Sequence, residues 1–328
     1  MKILAYSHRN DETEFFKEFS EKYNVDVKLL KDEPCMENAH EAKGFDAISI
    51  ITTLIDEDLV KKFKEYGVKF ISTRTIGYDH VDIKAASKEG ITVGNATYSP
   101  NSVADYTVML ILMAIRKVKL IMVRSDGQDY SLKGVQGKEL HNLKVGVIGT
   151  GRIGRTVIKQ LSGFNCEIFA YDIYENEEVK KYAKYVPLQE LMEHSDIITL
   201  HMPATEDNYH IINKENIEKM KEGTYIINTA RGSLIDTDAL IEGIVSKKLG
   251  GAALDVIEHE AGLYYNDLKD EILDNKHLAI LKSLPNVIVT PHTAFYTNQA
   301  VSDMVENSIK SYVLFANNEE NPFVVNMN

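Results

Sequence analysis

The stretch Gly149-Thr150-Gly151-Arg152-Ile153-Gly154 constrains this chain more than any other, because it stands between a β-rich run, KVGVI, and a helical one, RIGRTVIKQL. In a strand–turn–helix, the first glycine permits the tight turn and the second lets a phosphate approach the backbone. The third lets helix and strand pack closely. The helix that opens at Arg152 and Ile153 then turns its free N–H groups and positive dipole end toward a pyrophosphate. Asp172 ends the next β-rich run, at about the 20-residue distance where a carboxylate meets the adenosine ribose. A carboxylate accepts from ribose hydroxyls and repels a 2′-phosphate, and its neighbours Ile173, Tyr174 and Glu175 supply no arginine for one. The expectation is therefore a dinucleotide site, with NAD preferred over NADP.

A fingerprint this deep in the chain implies structure ahead of it. Short β-rich runs at Lys2–Tyr6, Val25–Leu30, Ala47–Ile51, Lys69–Thr73 and Ile91–Val93 alternate with polar helical stretches. That alternation predicts a parallel α/β domain. A second series follows at Lys144–Ile148, Glu167–Asp172, Asp196–Leu200, Thr224–Asn228, Gly251–Asp255 and Asn286–Thr290. Helical stretches at Arg152–Gly163, Leu188–His194 and Asp238–Lys247 lie between them, the last with Asp236 as N-cap. A final helix at Asn298–Phe315 is expected to fold back onto the first domain and make it discontinuous. The predicted architecture is two doubly wound α/β domains, Rossmann-like and flavodoxin-like. One comprises 1–99 with 297–328, the other 100–296, and the active site lies in the cleft between them. At 328 residues the chain is too long for one compact core and suits two.

Between the domains, Pro100–Arg116 reads as one helix whose residues Val108 to Ile115 are apolar without a break. A helix apolar all round must be covered on all sides, and a second subunit is one way to cover it. No apolar run approaches the length of a membrane span. The formal net charge of −12 disfavours nucleic acid and anionic membrane surfaces. The two cysteines, Cys35 and Cys166, form no ligand spacing, so no metal site is expected. Together with an N-terminus unlike a signal peptide, they predict a cytoplasmic protein.

Three polar residues stand just beyond three successive strand candidates. Arg231 follows TYIINTA, Glu260 follows GAALDVIEH, and His292 follows NVIVTP. Ligands of doubly wound sheets bind outside the carboxyl ends of strands, so these side chains are expected to converge. Singly, Arg231 could clamp a loop and Glu260 could be solvated. Together they suit reduction of a 2-keto acid. A guanidinium holds the carboxylate in a two-pronged contact, an imidazolium protonates the keto oxygen, and a carboxylate beside the imidazole orients it and favours its charged form. His201 and Pro203 in LHMP, Thr229 and Ala230 ahead of Arg231, and Asp255 are placed along the cofactor. His8, His40 and His80 receive no functional reading.

At these residues the chain resembles the D-isomer-specific 2-hydroxyacid dehydrogenase family. VGVIGTGRIG, NTARGSLIDT, GAALDVIEHE and VTPHTAFYT carry the resemblance, in the order that family shows. It implies Arg231, Glu260 and His292 as the catalytic set, and substrate carboxylate binding by the backbone of Ile76 and Gly77. It also implies a pocket lined by Tyr98, and a homodimer through the Asn101–Arg116 helix. GVKFISTRTIGYDHVD and SVADYTVMLILMAIR are similar to the D-lactate dehydrogenases of the family, and Phe295 is the aromatic residue implied where a lactate-sized pocket closes. Pyruvate and D-lactate are thus the implied pair, with bulkier keto acids of the 2-hydroxyisocaproate or phenyllactate type as the alternative. An NADH-sensing protein on the same fold is a reading of another class. His259 departs from the family, which often has glycine between the two glutamates.

Overall fold

The computed structural model describes residues 1–326, so the expected domain end at 328 lies outside the described residues. The chain forms two compact units, 1–99 with 296–328 and 100–295. Tyr296 joins the first unit, one residue earlier than the sequence predicts; the Arg9 guanidinium lies 5.6 Å from its ring centroid.

The first unit runs β1 (Lys2–Ala5), α1 (Thr13–Tyr23), β2 (Asp26–Leu29), β3 (Ala47–Ile50), α2 (Glu57–Glu65), β4 (Phe70–Thr73), α3 (Ile83–Lys88) and β5 (Thr92–Gly94). Its parallel sheet has the order β2-β1-β3-β4-β5, the flavodoxin-like arrangement. β3 and β4 are buried along their whole length, as expected of parallel strands covered on both faces.

The second unit runs α4 (Asn101–Ile115), α5 (Val118–Asp126), β6 (Lys144–Ile148), α6 (Arg152–Ser162), β7 (Glu167–Tyr171), β8 (Lys184–Tyr185), α7 (Leu188–His194) and β9 (Ile197–Leu200). It continues through α8 (Lys214–Lys219), β10 (Thr224–Asn228), α9 (Thr237–Val245), β11 (Leu249–Leu254), α10 (Lys276–Ser283) and β12 (Val287–Val289). Its seven parallel strands have the order β12-β11-β10-β9-β6-β7-β8. That is the Rossmann order, which reverses between β6 and β9 and opens a crevice beyond their carboxyl ends.

The chain then returns. α11 (Asn298–Ala316) belongs to the first unit, where Val305, Ile309 and Tyr312 pack with Ile3, Ala5, Phe16 and Phe70. Ser308 of α11 hydrogen-bonds Ser49 at 2.7 Å, and Ser49 in turn accepts from the buried Arg74 guanidinium. Arg74 is also paired with the buried Glu12 at 3.0 Å and donates to the Tyr6 carbonyl. This network fixes the end of β4, from which the loop holding Ile76 and Gly77 departs.

No helix among the described residues is long and apolar enough to cross a membrane.

Candidate active site

The glycine loop is built as its spacing demands. Gly149 has φ of 93°, a left-handed conformation that favours glycine, and a Cβ there would sit 2.6 Å from the His201 carbonyl. A Cβ on Gly154 would fall 1.9 Å from the Gly149 carbonyl, so α6 could not approach β6 with any other residue. Gly151, the N-cap of α6, differs: nothing lies within 4 Å of where its Cβ would be. The open space lies over the helix N-terminus, where a pyrophosphate would be bound. Arg152 opens α6 on the exposed side, and Ile153 packs inward.

Asp172 stands beside this loop. Its Oδ2 accepts from the Thr150 N–H at 2.5 Å and the Thr150 hydroxyl at 3.1 Å, and Oδ1 accepts from the Tyr174 N–H at 3.2 Å. The open cradle at Gly151 and a carboxylate at the end of β7 fit a dinucleotide.

His201 closes β9, with Nε2 2.9 Å from the Thr199 hydroxyl. Burial pushes the imidazole down to about 3, so it is neutral at physiological pH. Pro203 follows on the surface, its carbonyl accepting from Asn208. Thr229 hydrogen-bonds Thr107 of α4 at 2.9 Å, and the Ala230 N–H is held by the Asn228 side chain at 3.0 Å.

The candidate acid–base residues His292 and Glu260 lie on the same unit. His292 Nδ1 is 2.7 Å from Glu260 Oε1, while Glu260 Oε2 accepts from the Ile257 N–H at 3.0 Å. The carboxylate is thus fixed by its own loop and directed at the ring. Arg231 follows β10 and is partly buried, with one Nη on the Ala230 carbonyl at 2.8 Å. Next to it, a Cβ on Gly232 would lie 2.1 Å from the Ile257 carbonyl. That glycine lets the segments carrying Arg231 and Glu260 run against each other. The two glutamates separate cleanly: Glu258 turns away from His292 and pairs with His210 at 2.6 Å. Burial works to raise the Glu258 carboxyl, but hydrogen bonds from Thr237 and His210 outweigh it and hold it below the ordinary carboxylate range.

Asp255 has a role the sequence did not suggest. Its side chain is buried, with Oδ1 accepting from the Thr290 hydroxyl and Thr293 N–H and Oδ2 from the Ala294 N–H. It holds the loop that carries His292. His292 itself has φ of 52°, and its neighbours His259 and Tyr265 have φ of 57° and 69°. A left-handed position at His259 explains why glycine suits it.

Sequence reading missed Tyr265, which holds the loop of His292, and His210, which holds Glu258. The Tyr265 hydroxyl donates to the His292 carbonyl at 2.8 Å, and its ring lies 6.4 Å from that of Phe295, edge to face. Phe295 also stands edge-on to His292 at 6.3 Å. Neither support falls at a motif or strand end; Glu258 and His210 are 48 residues apart.

In the first unit, the Ile76 carbonyl accepts from the Asn95 side chain at 2.8 Å and the Gly77 carbonyl from the Thr75 hydroxyl at 2.6 Å. Tyr98 is partly buried there. Among the described residues no group of His, Cys, Asp or Glu is arranged to hold a metal ion.

Comparison with known proteins agrees with this geometry. Residues 108–294 match the family model described as D-isomer specific 2-hydroxyacid dehydrogenase, NAD binding domain. The chain is 50% identical to an aromatic 2-oxoacid reductase of Clostridium sporogenes, over 93% of each chain. It is 44% identical to a D-specific alpha-keto acid dehydrogenase of Enterococcus faecium, over 97% of this chain and 98% of that one. Among solved structures, a D-lactate dehydrogenase of Treponema pallidum superposes with a TM-score of 0.90 at 30% identity, covering 100% of both chains.

Proposed function

The chain belongs to the D-isomer specific 2-hydroxyacid dehydrogenase family and uses NAD; on that premise we propose that it reduces pyruvate to D-lactate and catalyses the reverse reaction. The observation that carries the chemistry is the His292–Glu260 pair, its carboxylate fixed by its own loop, against which the segment after Arg231 runs through Gly232. NADH, when bound, supplies the hydride that reaches the keto carbon. His292 supplies the proton. Its Nδ1 faces Glu260, so the proton that moves to the keto oxygen is the one on Nε2. Glu260 accepts from Nδ1 and fixes the ring for the transfer. Arg231 holds the substrate carboxylate and steadies charge on the keto oxygen. Ile76 and Gly77 bind the same carboxylate through backbone N–H groups, their carbonyls being already tied back by Asn95 and Thr75. Tyr98 and Phe295 bound the methyl group. Gly149, Gly151, Arg152, Ile153 and Gly154 cradle the pyrophosphate, and Asp172 takes the ribose. His201, Pro203, Thr229, Ala230 and the loop held by Asp255 form the wall against the cofactor. The working protein is a homodimer through the Asn101–Arg116 helix.

A second reading replaces pyruvate by an aromatic or branched 2-keto acid. It is favoured by the 50% identity to the clostridial aromatic 2-oxoacid reductase. One assay decides: NADH oxidation with pyruvate, 2-ketobutyrate, 2-ketoisocaproate, phenylpyruvate and 2-ketoglutarate, ranked by kcat/KM, with chiral analysis of the product. Pyruvate in first place supports the D-lactate reading. Phenylpyruvate or 2-ketoisocaproate in first place replaces it by the second. Negligible turnover of all five alongside tight NADH binding would point to a sensor.

A further inference from the structure

The carboxylate that faces the ribose is not held by its own strand alone. Thr150 donates to Asp172 Oδ2 through both its N–H, at 2.5 Å, and its hydroxyl, at 3.1 Å. The same hydroxyl lies 2.7 Å from the hydroxyl of Tyr185 on β8. The Tyr185 oxygen in turn accepts from the Asn176 N–H at 2.9 Å. These contacts fix every proton. A carboxylate only accepts, so the single Thr150 hydroxyl proton is committed to Asp172. Tyr185 must then donate to Thr150. The chain runs Asn176 N–H to Tyr185, Tyr185 O–H to Thr150, Thr150 O–H to Asp172, and each bond polarises the next.

We propose that Tyr185 and Thr150 are positioning residues for cofactor selectivity: their relay pins Oδ2 of Asp172 to the glycine loop, with Oδ1 on the Tyr174 N–H, so that the carboxylate meets the ribose hydroxyls in one orientation and rejects a 2′-phosphate. This rests on the assignment of Asp172 to the ribose. Thr150 is 3% exposed and occupies one of the variable positions of the fingerprint, so its side chain serves the loop rather than the solvent. Tyr185 belongs to a two-residue edge strand whose register with β7, Ala170 opposite Tyr185, brings the phenol to the end of β7 beside Asp172. A carboxylate released from the relay would swing, weakening its bond to NADH and its repulsion of NADPH together.

The test is equilibrium binding, read by NADH and NADPH fluorescence, for the wild type, Tyr185→Phe, Thr150→Val and Asp172→Ala. Tyr185→Phe keeps the ring and removes the donor; Thr150→Val keeps the N–H bond and removes the hydroxyl. Each is expected to lower the ratio of NADPH to NADH dissociation constants about threefold to tenfold, the worth of one hydrogen bond, and Asp172→Ala to lower it further. A merely structural role would weaken both cofactors equally and leave the ratio where it was. Ratios within about twofold of wild type in both Tyr185→Phe and Thr150→Val, alongside a fallen ratio in Asp172→Ala, overturn the relay. An unchanged ratio in Asp172→Ala overturns it together with the ribose assignment. Thermal melting identifies a variant that fails to fold, and the remaining relay variant then carries the test.

Discussion

His292 sits where two constraints meet: a left-handed backbone with φ of 52° and a ring fixed 2.7 Å from a carboxylate. Non-glycine residues adopt that backbone at a cost, and the Asp255-held loop and the Tyr265 hydroxyl supply the bonds that retain it. The ring is thereby presented in one orientation, and three substitutions should separate the roles. His292→Gln removes the proton donor and lowers turnover on the order of a hundredfold or more while NADH still binds. Arg231→Lys is also damaging, since a point charge cannot reproduce the planar two-pronged grip. Glu260→Gln keeps an acceptor but removes the anion that fixes the ring, so turnover falls by less than in His292→Gln while NADH still binds. Wild-type turnover in Glu260→Gln, with chemistry rate-limiting, would remove Glu260 from its role. Glu258 cannot take its place, because its oxygens are committed to His210 and Thr237. His201 gives a pH dependence. Its imidazole is pushed down to about 3 in the fold, so the unfolded chain binds the extra proton between that value and about 6.5. Its contribution to stability is present above pH 6.5 and is lost as pH falls toward 3, on the order of a few kcal/mol at most. Melting temperature plotted against pH should decline less steeply on the acid side in His201→Asn than in the wild type. The placement of Arg231, Glu260 and His292 just beyond β10, β11 and β12 was legible in the sequence because each follows an apolar run. His210 and Tyr265 were not, because a pairing across 48 residues or a hydroxyl on a backbone carbonyl leaves no periodic trace.

Strands and helices were legible to within a residue or two wherever apolar pattern and punctuation agreed. β6, β10 and α7 have the bounds the sequence predicts, and Asp236 caps α9 by accepting from the Ala239 N–H. β8 escaped because two residues carry no period. α4 is covered in part by its own unit: Ala104, Leu110, Ile111, Ala114 and Ile115 are buried there, Val108, Leu112 and Met113 are partly buried against the same core, and Met109 is exposed. Leu112→Glu would put a charge against that core and so threaten folding as well as association. The exposed apolar surface continues one element later. α5 buries no residue, and Ile121, Met122 and Val123 are 42%, 59% and 61% exposed. Three adjacent apolar side chains on one short helix form a patch of the kind that marks an interface. For the proposed dimer, Met122→Glu should give a folded monomer with an unshifted far-UV spectrum. Light scattering of the wild type as a monomer at micromolar concentration would sink the proposal.

Over the whole molecule, the chain leaves its first unit at Ser99 and returns at Tyr296, so that unit is completed only by the segment that contains α11. The return was foreseeable from an amphipathic helix left over after the last strand. Its anchoring was not: Asn326 receives the Val93 N–H at 2.6 Å and donates to the Ile91 carbonyl at 2.8 Å, beside β5. Each unit encloses separate hydrophobic clusters, with Tyr312 and Ile309 in one and Ile226 and Leu254 in another. Separate cores predict separable stability. NADH should stabilise the unit that holds the glycine loop, by about 2.7 kcal/mol at a hundred times its dissociation constant. Tyr312→Ala should cost the other unit about 3 kcal/mol by emptying a buried aromatic site against Phe70. Calorimetry of the wild type with NADH should then raise one transition, and calorimetry of Tyr312→Ala should lower a different one. In Tyr312→Ala the gap between the two should widen when NADH is added. A single transition that NADH raises and Tyr312→Ala lowers by equivalent amounts would show that the two units unfold as one, and that the return of α11 ties their stabilities together.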